Sequence, residues 1–245
     1  MPVLVITGGA RGIGRAVILG AAERGWDVAF SYVSNDAAAE ATAESAIAIG
    51  VRCEMLKGDV RDEAHLSALF DLGESLGSVT KCVVNAGIVG PVMPLAEMDA
   101  ARIARVIEVN VTGALLTARE AARRMPVAKG GPGGSIVLLS SAAARLGGAF
   151  NFTEYAASKG AMDTLTRGLA LELAPSVRVN AVRPGIIDTE IHADAGLADR
   201  ARTQGPDQPL GRAGTAEETA NAILWLLSDE ASYVTGTHVD VAGGR

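Results

Sequence analysis

Seven short apolar runs constrain this chain more than any other feature. They lie at 3–7, 28–32, 52–56, 81–85, 135–140, 177–182 and 237–241, and most are β-branched or aliphatic without polar alternation. A strand with one wet face alternates apolar with polar residues, whereas a strand covered on both faces does not. Ala- and Leu-rich stretches of helical length separate them at 13–24, 37–49, 99–124, 153–174 and 217–227. The second ends at Gly50, a C-cap residue, the third stops before Pro126, and the fourth is stopped by Pro175. Repetition of strand and helix requires right-handed crossovers. It predicts an α/β fold in one domain, 1–245, with a doubly wound parallel sheet of about seven strands and helices on both faces. The stretch Lys129-Gly-Gly-Pro-Gly-Gly134 reads as a flexible turn before a strand rather than a domain boundary.

Composition narrows the class. Aromatic residues are only 4% of the chain, so the core is built from Ala, Val, Ile and Leu. A net charge of -6 argues against an electrostatic nucleic-acid binder and suits a cytoplasmic protein. No apolar run reaches the roughly 18 residues of a membrane span. Residues 1–7 have no basic region before their apolar stretch, which argues against a signal peptide. Cys53 and Cys82 belong to no CxxC pair and read as reduced, buried thiols. His65, His192 and His238 show no ligand spacing, so no metal site is expected.

The first run leads directly into Thr7-Gly8-Gly9-Ala10-Arg11-Gly12-Ile13-Gly14, and a helix follows. Glycines permit a tight turn and let backbone N–H groups approach a pyrophosphate, to which the helix N-terminus adds a positive dipole end. The spacing G-x-x-x-G-x-G departs from the general G-x-G-x-x-G fingerprint, but the strand–loop–helix setting is the one that fingerprint requires. An ordinary Gly-rich turn is the competing reading, and the place after the first strand favours a dinucleotide site in a Rossmann-like sheet. An acid ending the second strand would bind a ribose 2′-OH. Here Ser31-Tyr32-Val33-Ser34-Asn35 contains none, and the first acid is Asp36. Its absence admits the 2′-phosphate of NADP(H), for which Arg11 supplies a cation and Ser34 and Asn35 supply donors. Asp36 reaching back to the ribose would keep NAD(H) open.

Tyr155 and Lys159 stand four apart at the start of the fourth helical stretch, on one face. A free tyrosine loses its proton near pH ~10, and a nearby ammonium lowers that value. A tyrosine tuned this way can exchange a proton with a carbonyl or alcohol oxygen. Alone the pair is weak, since an amphipathic surface helix can hold it. Ser141, at the C-terminal end of the fifth run, adds a hydroxyl on the edge of the sheet where ligands bind.

These residues, with Asp59-Val60, Asn85-Ala86-Gly87, Asn110, and Pro184-Gly185 followed by Thr189, resemble the short-chain dehydrogenase/reductase family over nearly the whole length. Arg11 before the second glycine of the loop resembles the NADP-preferring branch, and sugar dehydrogenases and 3-oxoacyl-carrier-protein reductases are nearest in flavour. The resemblance implies that Tyr155 is the acid/base and that Lys159 holds the nicotinamide ribose and lowers the tyrosine's pKa. Ser141 would steady the substrate oxygen, and Asn110 would hold a water in a proton relay to Lys159. Gly8, Ala10, Arg11, Gly12, Ile13 and Gly14 would meet the phosphates and ribose, and Asp59 and Val60 the adenine. Asn85, Ala86 and Gly87 would pass the two riboses, while Pro184, Gly185, Ile187 and Thr189 would receive the carboxamide side. Val84 stands where the family often has a first Asn. The interval from Ser141 to Tyr155 is one residue longer than usual, which makes Ser140 the fallback serine.

The lead expectation is therefore hydride transfer between a nicotinamide and a small carbonyl or alcohol substrate, with no nucleic-acid or membrane partner. A 3-oxoacyl-carrier-protein reductase would need a basic docking patch, for which Arg123, Arg124 and Lys129 are candidates. A dinucleotide-sensing binding protein would predict a damaged catalytic set. Residues 190–214 read as a substrate loop, with His192 as a rim residue. Family resemblance implies a homotetramer, in which the apolar stretch 222–227 would serve as a contact or as core.

Overall fold

The computed structural model describes the backbone of residues 1–245 and the side chains of all but His192 and Asp194. Seven strands form one parallel sheet in the order β3-β2-β1-β4-β5-β6-β7. They are β1 (Pro2–Thr7), β2 (Asp27–Tyr32), β3 (Cys53–Lys57), β4 (Ser78–Val84), β5 (Gly134–Leu139), β6 (Val177–Pro184) and β7 (His238–Val241). The order reverses between β1 and β4, which opens a crevice at the carboxyl ends of those strands.

Helices cover both faces. On one lie α1 (Gly12–Glu23) and α2 (Asp36–Ile49), and on the other α3 (Glu63–Leu76). Gly50, at φ 114°, caps α2 as expected. The α3 helix was not among the helical stretches recognised in sequence, although Asp62 caps it and Leu66, Leu69, Phe70 and Gly73 bury one stripe. The 99–124 stretch is a correction of a different kind. It is not one α-helix but α4 (Ala100–Ile107) and α5 (Gly113–Arg124), joined by a π-helical turn at Glu108–Thr112. Such turns insert one residue into a helix and recur at functional sites. Next come α6 (Ala143–Leu146) and α7 (Thr153–Glu172), then the short α8 (Ile191–Asp194) and α9 (Arg200–Gln204) of the substrate loop, and α10 (Ala216–Leu227).

Two apolar cores follow from this layering. One packs Ile6, Val28 and Phe30 against α1 and α10, and the other packs Val5, Cys82 and Ile136 against α3, α5 and α7. Burying each such side chain stabilises the fold by roughly 1.5–3 kcal/mol. The stretch 222–227 belongs to the first core, because Ile223, Leu224, Leu226 and Leu227 are buried within the chain itself. The glycine-rich turn before β5 is closed by backbone bonds, Gly131 N–H to Pro126 C=O at 3.0 Å and Gly133 N–H to Met125 C=O at 2.7 Å. No described helix is long and apolar enough to cross a membrane.

Candidate active site

The carboxyl ends of β1, β4, β5 and β6 deliver the predicted residues to one region. A cavity of about 340 Å³ is lined by Ile13, Asn85 and Gly87, by Ser141, Tyr155 and Lys159, and by Pro184, Gly185, Ile187 and Thr189. The ends of four strands and the helices α1 and α7 thus meet there.

The glycine loop is shaped by close approach. Gly14 packs so tightly that a Cβ would fall 2.1 Å from the Gly8 carbonyl oxygen. Gly12 sits at φ 54°, with Thr189 of the β6 loop beside it. Asn85 braces the loop from β4: its Nδ2 donates to the carbonyls of Thr7 and Gly8, both at 2.9 Å. The Thr7 hydroxyl accepts from the N–H groups of Asn85 and Ala86 at 3.2 Å. The amide of Asn85 therefore serves the loop's shape.

Tyr155 is half-buried, and burial pushes its hydroxyl above the usual tyrosine range. A hydrogen bond from Ser141 and the positive charge of Arg200 pull the other way. Lys159 Nζ lies 5.6 Å from the centre of the Tyr155 ring and donates to the Leu139 carbonyl at 2.7 Å. Burial lowers its pKa to about 8, against the opposing pull of Asp163. Ser141 and Arg200 are thus the groups that pull the tyrosine down against its burial.

Asn110 sits in the π-helical turn. Its Oδ1 accepts from Ile88 N–H at 2.8 Å, and its Nδ2 donates to the Ile88 carbonyl at 2.9 Å and to Ser158 Oγ at 3.0 Å. Ser158 Oγ in turn donates to the Tyr155 carbonyl at 2.7 Å, so Asn110 ties the β4 loop to α7. A side chain on Gly87 would stand 3.3 Å from Asn110 Oδ1 and 3.5 Å from Lys159 Nζ. The remaining lone pair of Asn110 and the lysine amine flank that one glycine.

Other predicted residues lie away from this cavity. Ser34 and Asn35 follow β2 and are exposed, and Asn35 caps α2 by accepting from Ala38 N–H at 3.0 Å. Asp36 opens α2 and pairs with Lys57 at 2.9 Å. Asp59 is held by Arg61 at 2.8 Å, and Val60 is buried against Leu66 and Val109. Arg11 is the N-cap residue of α1 and is exposed, and the Ala10 carbonyl accepts from Thr42 Oγ1 at 3.1 Å. The side chain of His192 lies outside the described ones. Among the described residues no cluster of His, Cys, Asp and Glu has the makings of a metal site. In sequence Arg245 carries no signal, and Arg200 of α9 stands only as one residue of the substrate loop, yet both line the cavity. No motif marks them, because only folding brings the substrate loop and residue 245 to the tyrosine.

Comparison with known proteins identifies the family of the fold. A family model described as "Enoyl-(Acyl carrier protein) reductase" matches residues 8–245. "Uncharacterized oxidoreductase YgfF" of Escherichia coli (strain K12) is 45% identical over 247 residues, with 100% of both chains covered. The cis-4-hydroxycyclohexanecarboxylate dehydrogenase of Sinomonas cyclohexanicum is 41% identical, covering 99% of this chain and 95% of its own. The crystal structure of a short-chain type dehydrogenase/reductase from Mycobacterium marinum superposes with a TM-score of 0.91 at 35% identity, covering 99% of this chain and 94% of that one. With this match in sequence and fold, the chain belongs to the short-chain dehydrogenase/reductase family of oxidoreductases, which use nicotinamide cofactors.

Proposed function

We propose that this protein is an NADP(H)-dependent oxidoreductase that interconverts a small ketone and its secondary alcohol, with Tyr155 as general acid/base. The observation that carries the reading is the convergence of Ser141, Tyr155 and Lys159 with the β1, β4 and β6 loops on one cavity. The loops suit a dinucleotide: a side chain at Gly14 would strike Gly8, and one at Gly87 would crowd Asn110 and Lys159, so backbone alone fills those positions. Gly8, Gly12 and Ile13 would hold the phosphates, Lys159 the nicotinamide ribose, and Ile187 and Thr189 the carboxamide. Bound there, the nicotinamide supplies or accepts hydride at its C4.

The chain's own groups manage the proton. In reduction, Tyr155 Oη gives its proton to the carbonyl oxygen while Ser141 Oγ steadies that oxygen. In oxidation the same hydroxyl oxygen takes the proton back. Lys159, poised near pH 8 by burial, supplies positive charge beside the tyrosinate and a route for reprotonation past Gly87 toward Asn110.

Preference for NADP(H) is favoured by the cation of Arg11 and by Asp36, which follows β2 but is paired with Lys57. That ion pair reduces the repulsion a 2′-phosphate would meet. Docking of an acyl carrier protein finds less support. Arg123 pairs with Glu120, and Arg124 pairs with Asp71, Glu74 and Glu120, so both arginines of the basic patch are internally neutralised. A homotetramer in the cytoplasm is the assembly and location we propose from the family.

The test is a cofactor-oxidation screen with NADPH and NADH against ketones, sugars and acyl thioesters. Turnover should favour NADPH and vanish in Tyr155→Phe. Full activity in that variant, or a strong preference for NADH, would overturn the reading.

A further inference from the structure

Among the described residues, the charged side chains lining the cavity have one sign. Acidic residues outnumber basic ones in this chain, 28 to 22. Yet among the described lining residues the charged ones are Lys159, Arg200 and Arg245, and none is acidic. A low-dielectric cleft lined by one sign of charge concentrates ligands of the other sign.

Arg200 is placed as a receptor. Its guanidinium stacks over the Phe152 ring at 5.1 Å, and Phe152 is itself buried. Its Nε donates to Gln204 Oε1 at 3.0 Å, which fixes the plane of the fork. Among the described residues, no carboxylate pairs with it and no acceptor meets its two terminal nitrogens. Its neighbour Arg202 differs, since it pairs with Asp199 at 3.1 Å on the outer surface. Burial and the nearby Arg245 both disfavour the charge on Arg200, and Tyr155 lies close enough to feel it. Arg245 is steadied from behind: Arg145 donates to its carbonyl at 2.9 Å, and Arg145 also pairs with Asp240 at 3.2 Å. Beside a half-buried tyrosine, the Arg200 guanidinium with the charge of Arg245 near it forms a site that a planar anion would complete, because a fork of N–H donors matches a carboxylate bidentately. The cavity walls also include Val89, Leu146, Phe152 and Ile191, which suit a compact apolar skeleton.

We propose that the substrate carries a carboxylate and that Arg200, aided by Arg245, binds it while Tyr155 addresses a ketone or secondary alcohol at the other end. The proposal rests on the reading of this cavity as the active site and adds the substrate class to it. Arg200 is then a specificity residue that touches substrate without moving a proton.

The experiment uses the full chain with NADPH and matched pairs of small ketones, each keto acid against its uncharged carboxamide, with 4-oxocyclohexanecarboxylate and 4-oxopentanoate as the acids. Wild type should prefer the acids. In Arg200→Gln the acid-over-amide ratio of kcat/KM should fall by roughly 10- to 100-fold, the range for a lost hydrogen bond to a charged group. Arg200→Lys, which keeps charge without the fork, should fall between. A second readout uses an unreactive acid: cyclohexanecarboxylate should inhibit competitively against the ketone, and more weakly in Arg200→Gln. The melting temperature and the KM for NADPH of each variant report fold and cofactor site. Equal loss on acid and amide, or a selective rise in the NADPH KM, would overturn the proposal by assigning Arg200 to the fold or the cofactor. Reduction of neutral ketones without preference for acids would overturn it and leave the oxidoreductase reading standing. Failure to reduce any ketone would overturn both.

Discussion

Ser140 Oγ lies 2.7 Å from Asp163 Oδ1, a contact that sets it apart from its neighbour Ser141. Ser140 is buried and also donates to the Lys159 carbonyl at 3.1 Å, at the wall of the cavity that it shares with Ser141. Ser141 instead hydrogen-bonds the Tyr155 hydroxyl and accepts from Ala143 N–H at 3.1 Å. Ser141→Ala should therefore lower kcat by roughly 10²–10³, the range for removing one donor to a developing oxyanion. Ser140→Ala should lose about 1 kcal/mol of stability and keep most of kcat. Steady-state kinetics with urea unfolding on both variants would show the reverse assignment at once.

The depressed pKa of Lys159 has a signature in stability. The unfolded chain holds this proton until about pH 10.5, whereas the folded one releases it near 8. Between those values the unfolded state binds more protons, so stability rises with pH through the window and is lost as pH falls through 8. Lys159→Met removes the effect. The stability difference, wild type minus variant, should grow from pH 7.5 to 9.5, below the range where Tyr155 titrates. A flat difference in urea titrations would refute the burial argument.

Asn85 should tolerate no acid. Its Nδ2 donates to two carbonyls of the glycine loop, and Asn85→Asp would set a carboxylate oxygen against both. The loss expected is roughly 1–3 kcal/mol, with weaker NADPH binding. Asn85→Ala should be milder. Fluorescence titration with NADPH and thermal melts distinguish the two.

Arg11→Ala should raise the KM for NADPH about tenfold more than that for NADH, as expected for one charge-assisted contact to a 2′-phosphate. Equal changes would assign Arg11 to the shared pyrophosphate.

Cys53 and Cys82 are both buried, and burial pushes each thiol up to about 12. A thiol reagent should label neither in the native protein at pH 8 and both after unfolding, because the thiolate is the reactive form. Labelling of Cys53 first would locate local opening at the β3 edge of the sheet.

Much of this molecule was legible in its sequence because both-face burial leaves uninterrupted apolar runs, and all seven became strands. The glycine loop and the Ser141, Tyr155 and Lys159 set were legible for the same local reason, since each needs only spacing and a strand end. The α3 helix was missed, although the spacing of Leu66, Leu69, Phe70 and Gly73 carries the 3.6-residue period. Its polar residues, three acids among them, masked the stripe. The π-helical turn leaves no such trace, because α4 and α5 keep helical composition on either side of it. Arg200 and Arg245 are distant in sequence from the tyrosine they flank, so their meeting belongs to tertiary structure alone.

The π-helical turn at Glu108–Thr112 makes the helix through Asn110 intolerant of a shortening by one. An α-helix advances about 100° per residue. Deleting any one residue of the turn would let α4 and α5 run on as a single regular helix, but with one half rotated by about that angle. Either Val106 would leave the interior or Ala114, Ala118 and Ala121 would leave the second core. The extra residue is thus a fixed phase shift between two packing surfaces, and the asparagine stands at the point where the phases meet.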